Sequence, residues 1–153
     1  MKPAPRGWPR ISSAVFYEDA GAAIDWLCSA FGFEVRLRIE GEGGRIEHSE
    51  LTFGEGLIMV GSAGEQRERA DRGFCVSPRA TDGKNTQSLC VCVDDVDAHC
   101  ARARAAGARI VSEPETKDYG EEYWSDRTYE AVDAEGHHWW FMQRVREPAP
   151  SGR

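Results

Sequence analysis

"AGAAIDWLCSAFGFEVRLRIE", residues 20–40, changes its hydrophobic period once. Ala20, Ala23, Ile24, Leu27 and Phe31 fall at i, i+3, i+4, i+7 and i+11, a single apolar stripe that predicts a helix over 20–33. Gly32 is placed to cap it. From residue 34 the period drops to two. Val35, Leu37 and Ile39 alternate with charges, which predicts a half-exposed strand over 34–40. Upstream, "ISSAVFYEDA" (11–20) has the β-branched and aromatic content of a strand ended by acids. Downstream, "RIEHSELTF" (45–53) and "GLIMVGS" (56–62) read as two more strands after the turn "GEGG". The order is strand, helix, strand, strand, strand.

The same order returns in the second half. "QSLCVCVDD" (87–95) reads as a strand ended by acids. "VDAHCARARAAGARIV" (96–111) reads as a helix with Val96, Cys100 and Ala103 on one side, closed by Gly107 before "ARIV" opens a strand. "SEPETKDYGEEYWSD" (112–126) reads as a loop, and "RTYEAVD" (127–133) and "HHWWFMQRV" (137–145) as strands around Ala134-Glu135-Gly136. Phe31-Gly32-Phe33-Glu34-Val35 superposes on Ala106-Gly107-Ala108-Arg109-Ile110 with a shift of about 75 residues. The expected architecture is therefore α+β: one domain over 11–145 made of βαβββ modules 11–62 and 87–145, joined by a polar loop 63–86. One such unit leaves an apolar sheet face open, and two packed together can enclose a cavity. Residues 1–10 and 146–153 are expected to be flexible.

The chain has 153 residues, 41% hydrophobic and 29% charged, which suits one core. A net charge of −7 opposes nucleic acid as a partner, because phosphates need a basic face. Residues 1–10 lack the apolar centre of a signal peptide, and no apolar run is long enough to span a membrane. A cytoplasmic protein with no membrane contact is expected. Cys28, Cys75, Cys90, Cys92 and Cys100 form no CxxC pair and are expected to be reduced.

"AAIDWLCSAFGFEV" (22–35), "VDDVDAHCARARAAGARIV" (93–111) and "DAEGHHWWF" (133–141), in this order and with this repeat, resemble the vicinal oxygen chelate superfamily. That group holds glyoxalase I, extradiol dioxygenases, and fosfomycin- and bleomycin-resistance proteins. The resemblance implies paired βαβββ half-barrel sheets with helices on the outer face, and a homodimer. It also implies where chelating members place a metal: on the first and fourth strands of each module. Those positions carry Ser12, Met59, Ser88 (with Gln87 one step away) and Trp140 here. Hydroxyl, thioether and indole do not hold zinc or iron(II) as imidazole and carboxylate do. No metal site and no cofactor is therefore expected, with a divalent metal as the alternative.

Alternation assigns the faces. Leu89, Val91, Val93, Trp139 and Phe141 should pack on the helix, leaving Ser88, Cys90, Cys92, His138, Trp140 and Met142 on the concave side. Cys90, Cys92, His138 and Trp140 line one wall. It reads as a lightly polar cavity wall, or as a soft-metal or Cys–His nucleophile site. His137 should serve the turn, and His99 should sit solvated on its helix. The candidate ligand-binding residues are His48, Glu50, Tyr123, Trp124, Arg127, Tyr129, His138 and Trp140, with Glu130 beside Tyr129. Tyr119, Tyr123 and Trp124 concentrate aromatic surface in a loop, a placement that suits binding. No catalytic residue is assigned. The function read from these residues is binding of a small organic molecule in the concave cavity without the standard metal. The alternative is a glyoxalase-like enzyme, a lyase or isomerase or dioxygenase-like. It would use a relocated metal (His48, Glu50, His138) or metal-free acid–base chemistry.

Overall fold

The structure, a computed structural model, describes residues 1–64, 75–148 and 150. It contains two compact units, Met1–Gly83 and Lys84–Arg153. Among the described residues each holds one four-stranded mixed sheet and one α-helix, the paired βαβββ fold.

The first unit runs β1 (Ser13–Tyr17), α1 (Ala20–Phe31), β2 (Glu34–Glu40), β3 (Ile46–Phe53) and β4 (Gly56–Ser62). The strand order is β1-β4-β3-β2, with β1 parallel to β4 and the other pairs antiparallel. Asp19 starts α1 by accepting the Ala22 N–H at 3.0 Å. Gly32 ends it at φ +82°, a left-handed turn that glycine adopts without steric cost. A helix of 12 residues is marginal alone in water. Its stability comes from the stripe Ile24, Leu27, Ala30 and Phe31, all fully buried. Each large side chain among them contributes about 1.5–3 kcal/mol. The sheet answers with Val15, Tyr17, Leu51, Ile58 and Val60.

The second unit runs β5 (Leu89–Cys92), α2 (Val96–Ala105), β6 (Arg109–Asp118), β7 (Ser125–Val132) and β8 (His138–Arg146). Its order is β5-β8-β7-β6, again with the first strand parallel to the last. Asp95 caps α2 by accepting the Ala98 N–H at 2.9 Å. Val96, Cys100 and Ala103 are the buried side of α2, as the spacing predicts. They meet Tyr129, Ala131, Trp139 and Phe141, each 0% exposed.

One element differs from the expectation. Residues 112–118, read as part of a loop, continue β6, so the loop shrinks to 119–124. Pro114 and the surrounding charges suggested a loop, but β6 is an edge strand, where proline and charges are tolerated. The register with β7 breaks between Ser112 and Glu115, around that proline.

Residues 1–10 also differ from a free lead-in. The Arg36 guanidinium donates to the Gly7 carbonyl and lies 5.9 Å over the Trp8 ring. The expected loop 63–86 lies outside the described residues at 65–74. Past these, Ser77 caps a 3-10 turn at Pro78–Thr81. In the C-terminal tail, Arg146 still belongs to β8, and residues 149 and 151–153 lie outside the described residues.

Candidate functional site

The face of each sheet that is turned away from its helix carries the polar groups. In the second unit the alternation of β8 decides this. Trp139 and Phe141 point to the α2 side, and Phe141 stacks on Tyr129 at 4.9 Å. His138, Trp140 and Met142 therefore stand on the open face, each half-buried. The parallel register sets Cys90 beside Trp140 and Cys92 beside Met142. On the other flank, Glu130 lies opposite Trp140 and Thr128 opposite Met142.

Hydrogen bonds fix this patch. His138 Nε2 lies 2.7 Å from Glu130 Oε2, with the two side chains only 21% and 19% exposed. Partial burial strengthens such a pair relative to one in open water. Trp140 Nε1 donates to Ser88 Oγ at 3.1 Å, which holds the indole, and its ring meets the His138 ring edge-on at 5.5 Å. Beyond Met142, Arg144 Nε donates to Asp126 Oδ1 at 2.5 Å and its guanidinium lies 5.2 Å over the Trp124 ring. Tyr119 and Tyr123 pack around Trp124 with centroids at 5.8 and 6.1 Å. The loop aromatics thus form a cluster at the Arg144 end of the open face.

In the first unit, Glu50 joins two side chains, an imidazole and a guanidinium. His48 Nε2 lies 3.1 Å from its Oε1, and Arg36 Nε lies 3.2 Å from its Oε2. Glu50 is in register with Met59, and Met59 with Ala14. By strand position, Glu50 and Met59 are the counterparts of Glu130 and Trp140.

Arg127 and Tyr129 do not join these groups. Both sit on the helix side of β7. Arg127 makes a two-pronged pair with Asp97 of α2, at 2.7 Å through each nitrogen. That pair holds the Asp97 carboxyl below its usual range. Tyr129 is fully buried, and its hydroxyl lies 2.7 Å from His99 Nδ1. His99, expected to be solvated, is half-buried, with its ring 4.3 Å from Phe141. Glu130 and Ser88, both placed on the concave side from the sequence, do stand on the open face, and Arg36 joins Glu50 in the first unit without having been a candidate. For Glu130 the signal was present: it has the opposite strand parity to Arg127 and Tyr129. For Arg36 nothing local distinguished it from the other charged residues of its strand.

Burial pushes the Tyr129 hydroxyl titration upward from 10, with Cys100 adding to it. The unfolded chain releases this proton near pH 10, whereas the folded chain keeps it. Stability from Tyr129 is therefore complete below pH 10 and falls as pH rises above it. Tyr129→Phe is expected to lose about 1 kcal/mol at neutral pH, from the bond to His99. It should also lose part of the alkaline destabilisation, as read by urea unfolding at pH 8 and 11. An unchanged alkaline slope in Tyr129→Phe contradicts the assignment.

Cys90 and Cys92 are both exposed. The Cys90 residue is exposed but its thiol is partly withdrawn from solvent, and this, with Cys92 and Asp126 nearby, pushes Cys90 up, which opposes a ready thiolate nucleophile there.

The turn between β7 and β8 explains the paired histidines. Asp133 Oδ1 accepts the backbone N–H groups of Glu135, Gly136 and His137 at 3.0–3.1 Å. Its Oδ2 accepts Trp139 Nε1 at 3.0 Å. His137 returns its carbonyl to the Asp133 N–H at 3.0 Å. Asn85 fastens the outside of the turn, donating to the Gly136 carbonyl at 2.8 Å and accepting the His138 N–H at 3.2 Å.

Two βαβββ units with polar open faces define a class, and sequence similarity agrees with it. The chain belongs to the Glyoxalase/Bleomycin resistance protein/Dioxygenase superfamily, whose pattern matches residues 10–141. It is 33% identical to TioX from Micromonospora sp. ML1, covering 90% of this chain and 99% of that one, with a TM-score of 0.68. It is 31% identical over 139 residues to the uncharacterized protein Rv0887c of Mycobacterium tuberculosis, covering 91% of this chain and 76% of that protein. TnmS3, described as an antibiotic binding protein from Streptomyces sp. CB03234, shares the fold at 19% identity and a TM-score of 0.61, covering 88% of this chain and 93% of that one. No helix among the described residues is long and apolar enough to cross a membrane.

The residues at the superfamily's chelating positions do not fit a divalent ion. Ser12 Oγ donates to the Leu57 carbonyl at 2.8 Å, and Ser88 Oγ accepts from the Trp140 indole. Met59 offers a thioether and Trp140 no lone pair.

Proposed function

We propose that this protein binds a small organic molecule on the open face of its second unit, with no divalent metal in the superfamily's chelating position. The observation that supports this most directly is Trp140. A half-buried indole, held in place by Ser88, stands where chelating relatives need a carboxylate. The His138–Glu130 pair beside it supplies a fixed polar edge. Aromatic side chains with a few oriented polar groups beside them are the usual lining of a ligand site. The fold shared with TnmS3, described as an antibiotic binding protein, is compatible with such a role.

An aromatic cation suits the face better than an anion. Indole attracts cations through its ring, and the net charge is −7. Titration calorimetry with ethidium and with anilinonaphthalene sulfonate tests this. Ethidium should bind about tenfold tighter, a difference of about 1.4 kcal/mol that lies within the cation–π range. Trp140→Ala should remove the preference. Equal affinities for the two dyes refute the charge preference, and no loss in Trp140→Ala refutes the site.

The 2.7 Å His138–Glu130 pair also supports a second reading, metal-free acid–base catalysis by a glyoxalase-like lyase or isomerase. Turnover of a substrate by metal-stripped protein, abolished in His138→Ala, would favour it over pure binding. A homodimer is part of the proposal. Leu37 and Ile39, in register with Glu50 and His48, leave apolar surface 38% and 46% exposed on edge strand β2, a surface that a second copy would cover. Light scattering should return twice the 17.0 kDa chain mass. Five free cysteines suit the cytoplasm, where thiols stay reduced.

A further inference from the structure

Beyond organic ligands, the open face of the second unit carries a set of sulfur atoms that the proposed function does not use. Cys90 and Cys92 are alternate residues of β5, so both side chains leave the same face. Their Cα atoms are spaced by two strand rises, about 6.6 Å. Both are exposed, and neither is in a disulfide. Cys92 stands in register with Met142 on the neighbouring parallel strand, at a strand spacing of about 4.8 Å, so the thioether joins the two thiols on one patch. Cys90 stands beside the Trp140 ring, which walls the patch on one side.

The donor set selects its ion. Among the described residues, no three His, Cys, Asp or Glu side chains gather to hold a metal, so a tetrahedral zinc or octahedral iron site has too few ligands. Two thiols and a thioether are soft donors. They suit a soft monovalent ion of low coordination number, for which copper(I) is the biological example. We propose that Cys90, Cys92 and Met142 form a copper(I)-binding site on β5 and β8. Binding exchanges two thiol protons for one metal ion, leaves two thiolates and the thioether as ligands, and involves no change of oxidation state. Because binding releases the two thiol protons, affinity should rise with pH.

The test is a competition titration of the full chain with the copper(I)–bicinchoninate complex under ascorbate. The expected result is withdrawal of one copper(I) per chain, with no comparable uptake of zinc(II). Cys90→Ser and Cys92→Ser should each abolish the one-to-one complex, and Cys28→Ser and Cys75→Ser should leave it intact. Met142→Leu should weaken it without abolishing it, since the thioether ligand is lost and the two thiolates remain. Circular dichroism of each variant separates loss of the site from loss of the fold. No withdrawal from bicinchoninate, or uptake that survives Cys90→Ser and Cys92→Ser, overturns the proposal. Dye binding by Trp140 is read separately, so either result stands without the other.

Discussion

Asp133→Ala is expected to lower the unfolding free energy by about 3–5 kcal/mol, among the largest single-residue losses in this chain. Asp133 is 6% exposed, yet its carboxylate is fully used. Three backbone N–H groups converge on Oδ1, and the Trp139 indole donates to Oδ2. Alanine removes four charge-assisted bonds at once. The backbone donors can partly recover water at the turn, but the indole N–H of a residue with 0% exposure cannot. That asymmetry sets the upper end of the range. Asp133→Asn separates the two parts. One amide oxygen can still serve the turn, while the amide NH₂ faces another donor, so a loss of about 1–3 kcal/mol should remain. Urea unfolding followed by circular dichroism measures both. A loss under 1 kcal/mol in Asp133→Ala contradicts this account of the turn.

The adjacent tryptophans should behave in opposite ways. Trp139→Ala is expected to cost about 3–5 kcal/mol, because it opens a cavity beside Phe141 and removes the indole hydrogen bond to Asp133 Oδ2. Trp140→Ala should cost only about 1–2 kcal/mol, since that ring is half-buried and loses one bond, to Ser88. Its larger effect should be on ligand binding. Chemical denaturation of both variants, together with the dye titration, checks the pair. Similar destabilisation by the two substitutions would mean that the strand faces are wrongly assigned.

Several features were legible in the chain without its structure. The helical stripe of residues 20–31 and the repeat near residue 107 both follow from local period, as does the assignment of Trp139 and Phe141 to the core. Those signals survive because side-chain direction in helices and strands is a local property of the backbone. The same rule, applied to residues 127–130, separates Tyr129 from Glu130. Arg127 and Tyr129 nevertheless drew attention by their chemistry, and their parity sends them to α2.

Other features belong to the tertiary structure. Charge and proline in residues 112–118 resemble a loop until β6 is seen to be the edge of its sheet. His99 resembles a surface residue until Tyr129 is placed across from it. The pairing of His138 with Glu130 depends on the register between β7 and β8, and the grouping of Cys90 and Cys92 with Met142 on that between β5 and β8. The sequence alone therefore determined the order of elements and which way each side chain leaves its strand, since both depend on neighbours a few positions apart. Which side chains meet was decided only by the tertiary structure. Strand register is set by turns and packing between segments far apart in the chain, and a shift of one residue exchanges every partner.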